Sequence, residues 1–479
     1  MRKTKIVCTI GPASENEETL RQLILSGMNV ARLNFSHGTH DEHAQKIQTL
    51  KKLRGELGLP VAIMADTKGV EIRIRTFESG SAALTAGAKF TFTTREVPGS
   101  ESIVSVNYPG LCKSVRPGGR ILVDDGLCEF LILSVTETDV ECEVVNGGTL
   151  KNRKSVNLPG AVLDIPYLSE ADKTDIAFGI EHDVDFFALS FIRSARDVED
   201  VRKFMQRVNR GDIRLIAKIE NAEGVDNIDE IIEAADGVMV ARGDMGVEIP
   251  FEELPYIQKK IISACYRAGK VVITATQMLE SMITHPRPTR AEITDVANAV
   301  YDGTSAVMLS GETAVGRYPV LALETMVKIA ERTEANIDYK NQMDKTFHFA
   351  DLDASMTNAI SHATCATAHS LDAKAIIAVT LSGTTARMIS RFRPQTEIIA
   401  VTPIRKAYFQ LAMSWGVTPM MNTYIEDPDE LIEDAVDHVI KNGCVKQNDL
   451  VVITGSSRYS AGEINSIQVY VIGKSFGKQ

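Results

Sequence analysis

Residues 214–221 read RLIAKIEN, a run of leucine, isoleucine and alanine that ends in charged and polar residues. Its length and composition are typical of a strand buried on both faces of a sheet. The same pattern, a short apolar run closed by polar side chains, recurs in KIVCTIG (5–11), NVARLNFS (29–36), VAIMADT (61–67), FFALSFIR (186–193), GVMVARGD (237–244), KVVITATQ (270–277) and SAVMLSGE (305–312). Eight such strands alternating with helices predict an α/β fold, a closed parallel (β/α)8 TIM barrel, with a doubly wound open sheet as the structural alternative.

Helix-start signals lie between these strands. Ser14 and Glu17 have the spacing of a capping box and predict the start of one helix, which Gly27 is expected to end. Thr289 and Glu292 have the same spacing and predict a second helix start.

The segment between the third and fourth strands differs in kind. It is rich in glycine, threonine and valine and alternates apolar with polar residues, as in KFTFTT and RILV. We predict an all-β lid domain over residues 70–166, a small β-barrel inserted after strand three, with residues 1–69 and 167–341 forming the TIM barrel. A second α/β pattern, with the strands KAIIAVT, EIIAVTP, DLVVITG and QVYVIG, predicts a C-terminal α/β regulatory domain over residues 342–479.

Composition excludes several classes of partner. The 479 residues include 52 lysines and arginines against 63 aspartates and glutamates, a formal net charge of −11. An acidic chain is a poor match for nucleic acid or an anionic membrane surface, because both require a basic face. The seven scattered cysteines include no C-x-x-C pair, which argues against a zinc knuckle or a disulfide framework. The sequence has no apolar signal core or membrane segment, so we expect a cytoplasmic protein.

Polar side chains follow every predicted barrel strand. The carboxyl ends of barrel strands meet at one mouth, where barrel enzymes assemble their sites. A single such side chain is usually a solvated loop charge or a structural ion pair, but eight strands ending this way favour a functional site. The residues are Arg32, Asn34, Ser36, His37, Asp66, Thr67, Lys68, Ser190, Arg193, Lys218, Glu220, Arg242, Gly243, Asp244, Thr276, Gln277, Ser310 and Glu312.

Lys218 and Glu220 are two positions apart on one strand, so their side chains lie on the same side of it. With Asp244 from the next strand, Glu220 could hold a hard divalent cation such as Mg²⁺, and a salt-bridge cluster is the alternative. Arg32, Arg73 and Lys218 would supply positive charge for a phosphate group.

A second set of strand-end residues offers neutral oxygens and one carboxylate. This mixture suits a monovalent cation, and a plain hydrogen-bond network fits the spacing nearly as well. The residues of the set are Asn34, Ser36, Asp66 and Thr67.

Blocks in order along nearly the whole chain resemble the pyruvate kinase family, in its bacterial form. They are MRKTKIVCTIGPAS, NVARLNFSHGTH, ADTKGVEIR, VNLPG, LSFIR, AKIEN, VARGDMGVE, ATQMLESM, HPRPTRAEITDVANAVYDGTSAVMLSGETAVGRYP and NSIQVYVIG. The family's architecture is a barrel, a mobile β domain inserted after strand three and a C-terminal α/β domain, which agrees with the organisation above. Some members have an extra C-terminal phosphohistidine-type domain, which we expect this chain to be too short to carry.

The resemblance implies phosphoryl transfer from phosphoenolpyruvate to ADP, giving pyruvate and ATP in the last step of glycolysis. At the matching positions, Glu220 and Asp244 would bind the Mg²⁺ (or Mn²⁺) that stabilises the enolate, and Lys218 would stabilise the transferring phosphoryl group. Arg32 would contact the phosphoryl group. Thr276 would bind the substrate carboxylate and help to organise proton delivery.

Further roles follow from the same resemblance. Backbone N–H groups of Gly243 and Asp244 would bind the substrate carboxylate, while Ser310 and Glu312 would belong to the proton relay. The residues expected on the nucleotide side are Asn34, His37, Arg73 and Lys154. The residues that match the family's K⁺ site are Asn34, Ser36, Asp66 and Thr67.

Three positions near the lid modify this expectation. Glu71 goes with potassium dependence in the family, because an acidic neighbour makes a bound cation more necessary for phosphorylated substrates. Val70 replaces the family's usual proline, so we expect a looser hinge into the lid. Ala171 replaces a usual lysine, so one charge on the nucleotide side is absent.

Regulation and assembly are also suggested by the resemblance. The turn TLSGTT (380–385) precedes a helix and is either a phosphate site or an ordinary N-cap. In the family this position resembles the effector site for a phosphorylated sugar or nucleotide, with Ser382, Thr384, Thr385 and Arg458 as candidate residues. The family is typically homotetrameric, and Trp415 or the PTRAEITD helix could lie in an interface.

Two other functions serve as alternatives. An aldolase acting on pyruvate would share the metal-binding carboxylates, but it would not need the inserted β domain or the AKIEN strand. A catalytically silent metabolite-binding protein would lack at least one of four residues that are all present here: Lys218, Glu220, Asp244 and Thr276.

Overall fold

The computed structural model describes residues 2–208, 210–339, 355–425, 427–455 and 464–473. The first barrel strands are β1 (Lys5–Thr9), β2 (Val30–Asn34) and β3 (Ala62–Asp66). The lid strands follow: β4 (Ser81–Leu84), β5 (Lys89–Thr93), β6 (Ile103–Ser105), β7 (Arg120–Val123), β8 (Cys128–Val135), β9 (Asp139–Asn146), β10 (Gly148–Lys151) and β11 (Val156–Asn157). The barrel resumes with β12 (Phe186–Leu189), β13 (Arg214–Ile219), β14 (Gly237–Ala241), β15 (Val271–Ala275) and β16 (Ala306–Leu309). The C-terminal strands are β17 (Ala375–Val379), β18 (Glu397–Thr402), β19 (Val417–Met421), β20 (Leu450–Gly455) and β21 (Ser466–Val471).

Helices separate most of these strands. Those before β12 are α1 (Glu17–Leu25), α2 (His40–Leu57), α3 (Leu111–Ser114) and α4 (Glu170–Glu181). The remaining barrel helices are α5 (Ala195–Arg207), α6 (Ala222–Asp226), α7 (Ile228–Ala234), α8 (Arg242–Glu248), α9 (Leu254–Ala268), α10 (Arg290–Tyr301), α11 (Gly311–Ala314) and α12 (Pro319–Glu334). The C-terminal domain contains α13 (Met356–Ser370), α14 (Thr384–Ser390), α15 (Arg405–Gln410) and α16 (Pro428–Lys441). Short 3₁₀ helices cover Glu280–Ile283 and Leu411–Met413.

The barrel closes in the order β1-β16-β15-β14-β13-β12-β3-β2, with every neighbouring pair parallel. Closure confirms the TIM barrel and rules out the open doubly wound sheet. Strands buried on both faces need apolar side chains in both directions, which explains the continuous apolar runs of the sequence.

Alternation along each strand decides which side chains enter the barrel. In β13, Ile216 belongs to the apolar cluster inside the barrel, whereas Leu215 and Ala217 pack toward the surrounding helices. Lys218 is two residues beyond Ile216 and therefore lies on the inward side, at the carboxyl end of the strand. The same alternation sends three other strand-end side chains inward: Arg32, Asp66 and Ser190.

One of the two predicted capping boxes is wrong. The N-cap of α1 is Asn16, whose side chain accepts a hydrogen bond from Thr19 N at 2.9 Å. Ser14 instead accepts a hydrogen bond from Gly11 N at 3.2 Å, in the turn after β1. The capping box of Thr289 and its third helical residue is confirmed at the start of α10, and α1 ends just before Gly27 as predicted.

The lid has its own sheets and its own core. Its larger sheet has the order β11-β7-β8-β9-β5-β6, and β10 pairs with β4. Phe90, Phe92 and Phe130 are buried at its centre, with ring centroids 4.8–5.3 Å apart. The apolar cluster of the lid is separate from that of the barrel, so each unit buries its own hydrophobic side chains.

The C-terminal sheet has the order β19-β18-β17-β20-β21, in which only β20 and β21 pair antiparallel. The edge strand β19 was not predicted, because Pro419 interrupts its pattern. Proline is compatible with an edge strand, where its missing N–H group leaves no ladder bond unmade.

Neither a membrane-spanning helix nor a disulfide is found in the described chain. None of its helices combines the length and apolar character needed to cross a bilayer. All seven cysteines are free, and five of them are buried.

Candidate active site

Lys218 lies at the centre of the polar cluster in the barrel mouth. Its Nζ atom donates to Ser190 Oγ at 2.6 Å and to Asp66 Oδ1 at 3.0 Å, and it lies 2.9 Å from Glu220 Oε1. Burial lowers the pKa of Lys218, but the Asp66 and Glu220 carboxylates outweigh burial, so the pKa is raised overall. Lys218 therefore remains a cation at neutral pH and acts through its charge.

Arg32 and Lys218 share one carboxylate. The Nε atom of Arg32 lies 2.7 Å from Asp66 Oδ2, and a second guanidinium nitrogen donates to Thr9 Oγ1 at 2.9 Å. Burial acts to raise the pKa of Asp66, but the two cations outweigh it and hold the pKa below its usual value. Asp66 therefore holds the two buried cations side by side in the barrel mouth.

Glu220 and Asp244 are the carboxylates predicted for a divalent metal. Burial raises the pKa of Glu220 to about 7, against the opposing effect of Lys218, and the nearby Asp244 raises it further. Burial also raises the pKa of Asp244. Two neighbouring acids with raised pKa values are stabilised by added positive charge, so this pair fits a cation.

The fit favours a hard ion with few protein ligands. Among the described residues, no group of three or more histidine, cysteine, aspartate or glutamate side chains is arranged to hold a metal. Mg²⁺ is commonly held by one or two carboxylates and keeps water or substrate oxygens at its other positions. The side-chain set is therefore compatible with Mg²⁺.

Thr276 has a backbone conformation that is unusual for a residue with a side chain. Its φ is 67°, and that of the next residue, Gln277, is 54°. Gly243 N donates to Thr276 Oγ1 at 2.7 Å, and Thr276 Oγ1 donates to Ala275 O at 2.6 Å. Two of the three groups predicted to bind the substrate carboxylate thus contact each other. Left-handed backbone of this kind often marks a functional site.

Ser310 and Glu312, predicted for the proton relay, follow β16: Ser310 comes directly after the strand and Glu312 lies in α11. Both carboxylate oxygens of Glu312 accept backbone N–H groups, one from Leu279 at 3.0 Å and one from Ser310 at 2.7 Å. Burial raises the pKa of Glu312. Glu312 thus fixes the backbone of Ser310, whose buried Oγ atom has no hydrogen-bond partner in the described chain.

The residues predicted for K⁺ lie at the ends of β2 and β3. Asn34 is directly opposite Asp66 in the strand register. Asn34 Oδ1 accepts a hydrogen bond from Ser36 N at 3.1 Å, and Thr67 is buried beside Asp66. The arrangement brings two strand ends together, while the Asp66 carboxylate is already shared by Arg32 and Lys218.

A cavity of about 480 Å³ separates the lid from the barrel mouth. His37, Arg73 and Lys154, all predicted for the nucleotide, line it together with Asp244, whereas Asn34 does not. Arg73 is ion-paired with Glu71 at 2.6 Å. Lys154 is ion-paired with Asp124 of the lid at 2.7 Å. Acidic groups of the lid therefore already contact both Arg73 and Lys154.

The candidate effector turn is closed by its own hydrogen bonds. Ser382 Oγ lies 2.9 Å from Thr384 Oγ1, and Arg387 donates to Ser382 O and Thr384 Oγ1, each at 3.1 Å. Thr385 is buried in the first turn of α14. Burial lowers the pKa of Arg387 to about 9, so an anion here would stabilise its charge. Arg458 lies outside the described residues.

Sequence reasoning missed three contributors to the site. Ser190 was recognised only as a strand-end residue, and no role was predicted for the N–H group of Phe191, which donates to Glu220 Oε2 at 2.6 Å. Arg242 donates to Thr276 O at 2.6 Å and is ion-paired with Asp295. The position of Ser190 and Arg242 directly after strands was the available signal, but their partners depend on barrel closure.

Comparisons with known proteins agree with this geometry. The pyruvate kinase barrel-domain model matches residues 1–323, and the pyruvate kinase alpha/beta-domain model matches residues 358–470. The pyruvate kinase of Bacillus licheniformis is 48% identical over 480 residues, covering 100% of this chain and 82% of the relative. That of Geobacillus stearothermophilus is also 48% identical over 480 residues, covering 100% of this chain and 81% of the relative.

A solved structure leads to the same family. The crystal structure of a pyruvate kinase from Cryptosporidium parvum is 38% identical in sequence and superposes with a TM-score of 0.93. The match covers 98% of this chain and 96% of the other. The family models, the curated relatives and the solved structure agree over both the barrel and the C-terminal domain, and on these grounds the chain belongs to the pyruvate kinase family.

Proposed function

We propose that the chain transfers the phosphoryl group of phosphoenolpyruvate to ADP, giving pyruvate and ATP. One observation carries the proposal: Arg32 and Lys218 share the Asp66 carboxylate, beside the acidic pair Glu220 and Asp244, in the mouth of the barrel. This arrangement holds two cations side by side where a phosphoryl group would bind, and a divalent cation on Glu220 and Asp244 would offset the charge of the neighbouring carboxylates.

Lys218 is the catalytic residue in this proposal. Phosphoryl transfer involves little covalent chemistry for the protein, so catalysis comes from positioning and from charge stabilisation. The raised pKa of Lys218 keeps its ammonium group protonated. Lys218 therefore stabilises the phosphoryl group and the enolate oxygen as an electrostatic partner, and Arg32 orients the phosphoryl oxygens from the other side of Asp66.

Mg²⁺, or Mn²⁺ in its place, would be held by Glu220 and Asp244. When bound, it supplies positive charge to the substrate carboxylate and the enolate oxygen. The N–H group of Phe191, 2.6 Å from Glu220 Oε2, orients that carboxylate. Glu220 is therefore already oriented before a ligand arrives.

The carboxylate of the substrate would be bound by Thr276 and by the backbone N–H groups of Gly243 and Asp244. The present contact between Gly243 N and Thr276 Oγ1 would be exchanged for contacts with that carboxylate. The Ser310 hydroxyl, buried with no partner in the described chain, is available to move a proton toward the substrate methylene. Glu312 would support this relay by fixing the Ser310 backbone.

K⁺ and the nucleotide complete the proposal. K⁺ would be held by oxygens of four residues: Asn34, Ser36, Asp66 and Thr67. The nucleotide would occupy the cavity under the lid, which is lined by His37, Arg73 and Lys154. Entry of its phosphates would exchange the ion pairs of Arg73 and Lys154 with lid acids for contacts with phosphate.

Regulation and assembly extend the proposal. A phosphorylated effector would bind the turn of Ser382, Thr384 and Thr385, and the nearby Arg387 offers it a cation. We also expect a homotetramer, as is typical of the family.

The direct test measures pyruvate formation from phosphoenolpyruvate and ADP with the purified chain, omitting Mg²⁺ and K⁺ in turn. Full activity is expected only with both ions present. The absence of pyruvate formation under complete conditions would refute the proposal.

A further inference from the structure

The segment that follows β12, residues 190–193, contacts both the lid and the polar cluster. Arg193 donates to Leu163 O at 2.8 Å and to Ile165 O at 2.9 Å, in the irregular segment that leads from the lid back to the barrel. The hydroxyl of Tyr167 donates to Ser190 O at 2.9 Å. Residues 190–193 are therefore hydrogen-bonded to the part of the chain that returns from the lid to the barrel.

The entering end of the lid meets the same carbonyl. Gly69 has a φ of +68°, and a Cβ atom at this position would lie 2.6 Å from Ser190 O. Only glycine fits this approach without displacing the backbone. Ser190 O thus lies against both connections between lid and barrel.

Ser190 and Phe191 also hold the proposed catalytic groups. Ser190 Oγ accepts a hydrogen bond from Lys218 at 2.6 Å and donates to Thr67 O at 2.6 Å. Phe191 N donates to Glu220 Oε2 at 2.6 Å, and Phe191 has a φ of 56°. A bulky residue in this conformation is strained and keeps it only where surrounding contacts enforce it.

We propose that Tyr167 is a positioning residue, which holds Ser190 and Phe191 in the conformation that aligns Lys218 and Glu220 when the lid is seated. The inference rests on the proposed function, because it assigns Lys218 and Glu220 their roles. Tyr167 itself touches neither substrate nor metal in this proposal.

The surroundings of Tyr167 support this role. Its side chain is 4% exposed, so its hydroxyl must find its partner within the protein. Burial, with the nearby acids adding to it, raises the pKa of Tyr167 well above its usual value, so the hydroxyl remains a donor. Removing this donor would free the Ser190 carbonyl and allow the strained Phe191 backbone to relax.

The test compares Tyr167→Phe with Tyr108→Phe. Tyr108 is also 4% exposed, and its hydroxyl lies 2.7 Å from Ser114 Oγ within the lid, away from the catalytic cluster. Both variants lose one buried hydroxyl and keep the aromatic ring, so similar losses of thermal stability are expected. A purely structural role would therefore affect both variants alike.

For Tyr167→Phe we expect kcat to fall about tenfold to a hundredfold, as for other residues that orient a ligand, with KM for phosphoenolpyruvate changed by less than about twofold. Calorimetry without substrates should show weaker Mn²⁺ binding, and hydrogen exchange should be faster at the Phe191 amide. Tyr108→Phe should match the wild type in all three measurements.

The outcomes separate the two proposals. Equal kcat, Mn²⁺ affinity and Phe191 exchange in both variants would overturn the role of Tyr167. A wild-type chain that makes no pyruvate would overturn the proposed function, while Mn²⁺ binding and amide exchange would still decide whether Tyr167 positions Phe191 and Glu220.

Discussion

One guanidinium nitrogen of Arg242 lies 2.8 Å from each carboxylate oxygen of Asp295, while the other terminal nitrogen lies 2.6 Å from Thr276 O. The carbonyl that Arg242 holds belongs to a residue with a φ of 67°. Asp295 on α10 therefore fixes, through one side chain, the backbone of the residue proposed to bind the substrate carboxylate.

Asp295→Asn should lower kcat about tenfold, because outer partners of a ligand-binding group typically contribute this much. The substitution keeps the size of the side chain but removes the charge that holds Arg242. Lys259→Met is the matched control, since it breaks a neighbouring ion pair with Asp302 on the outer surface. Steady-state kinetics that show the same kcat for both variants would contradict the role of Asp295.

Lys218→Met should reduce turnover by several orders of magnitude while the fold stays intact. The variant removes the buried charge proposed to stabilise the enolate. Lys5→Met is the control, because Lys5 is another buried lysine, hydrogen-bonded to Val417 O at 2.7 Å and remote from the barrel mouth. A coupled assay should find near-normal turnover for Lys5→Met, and a comparable loss in both variants would argue against a special role for Lys218.

Lys5 also gives a prediction about pH and stability. Burial lowers the pKa of Lys5 from 10.5 to about 7. Between these values the unfolded chain binds more protons at this position, so this residue makes stability rise with pH, by at most about 1.4 kcal/mol per unit. The Tm advantage of Lys5→Met over the wild type should therefore be largest below about pH 7 and shrink toward about pH 10. A Tm difference between Lys5→Met and the wild type that does not change with pH would contradict the lowered pKa of Lys5.

Replacing K⁺ with tetramethylammonium at constant ionic strength should abolish most of the activity. Glu71 is ion-paired with Arg73 at 2.6 Å and offsets its charge, so a bound cation is expected to supply part of the positive charge for the phosphates. Glu71→Lys should restore part of the activity without K⁺. Glu96→Lys, which breaks a comparable ion pair with Arg75 on the lid, should not. Activity that does not respond to the exchange of cations would contradict potassium dependence.

Thermal-shift titrations with fructose 1,6-bisphosphate, a sugar monophosphate and AMP should find at least one phosphate that raises Tm. Binding to the native state stabilises it in proportion to the logarithm of the ligand concentration. Arg387→Met should abolish the shift, because Arg387 is the cation beside Ser382 and Thr384, and Arg405→Met should retain it. The absence of a shift with all three phosphates would argue against an effector site.

The sequence predicted the barrel because a local signal was repeated. Each strand has the same apolar run, and the two-residue spacing of Lys218 and Glu220 fixes their common side without knowledge of any neighbour. The contact of Lys218 with Asp66 joins residues 152 positions apart and depends on the stagger of the closed barrel. The sequence therefore identified the charged residues of the site, but it did not predict that Arg32 and Lys218 both contact Asp66.

Two local errors have similar causes. Ser14 and Asn16 are both good N-cap residues, and the chain resolves the competition through the turn after β1, which uses Ser14 Oγ for Gly11 N. The strand around Pro419 was missed because its pairing is decided by its position at the sheet edge. In both cases tertiary context decides among options that local sequence leaves open.

The convergence of Gly69 and Tyr167 on Ser190 O has a consequence for how such a chain can be altered. The chain leaves the barrel and returns to it beside the same carbonyl group, and the inserted lid between these two connections has its own hydrophobic core. The lid could thus be replaced by a domain of different size or chemistry that is joined to the barrel at these two adjacent connections. The eight-stranded barrel closes without any strand from the inserted unit, which makes this junction a natural site for grafting.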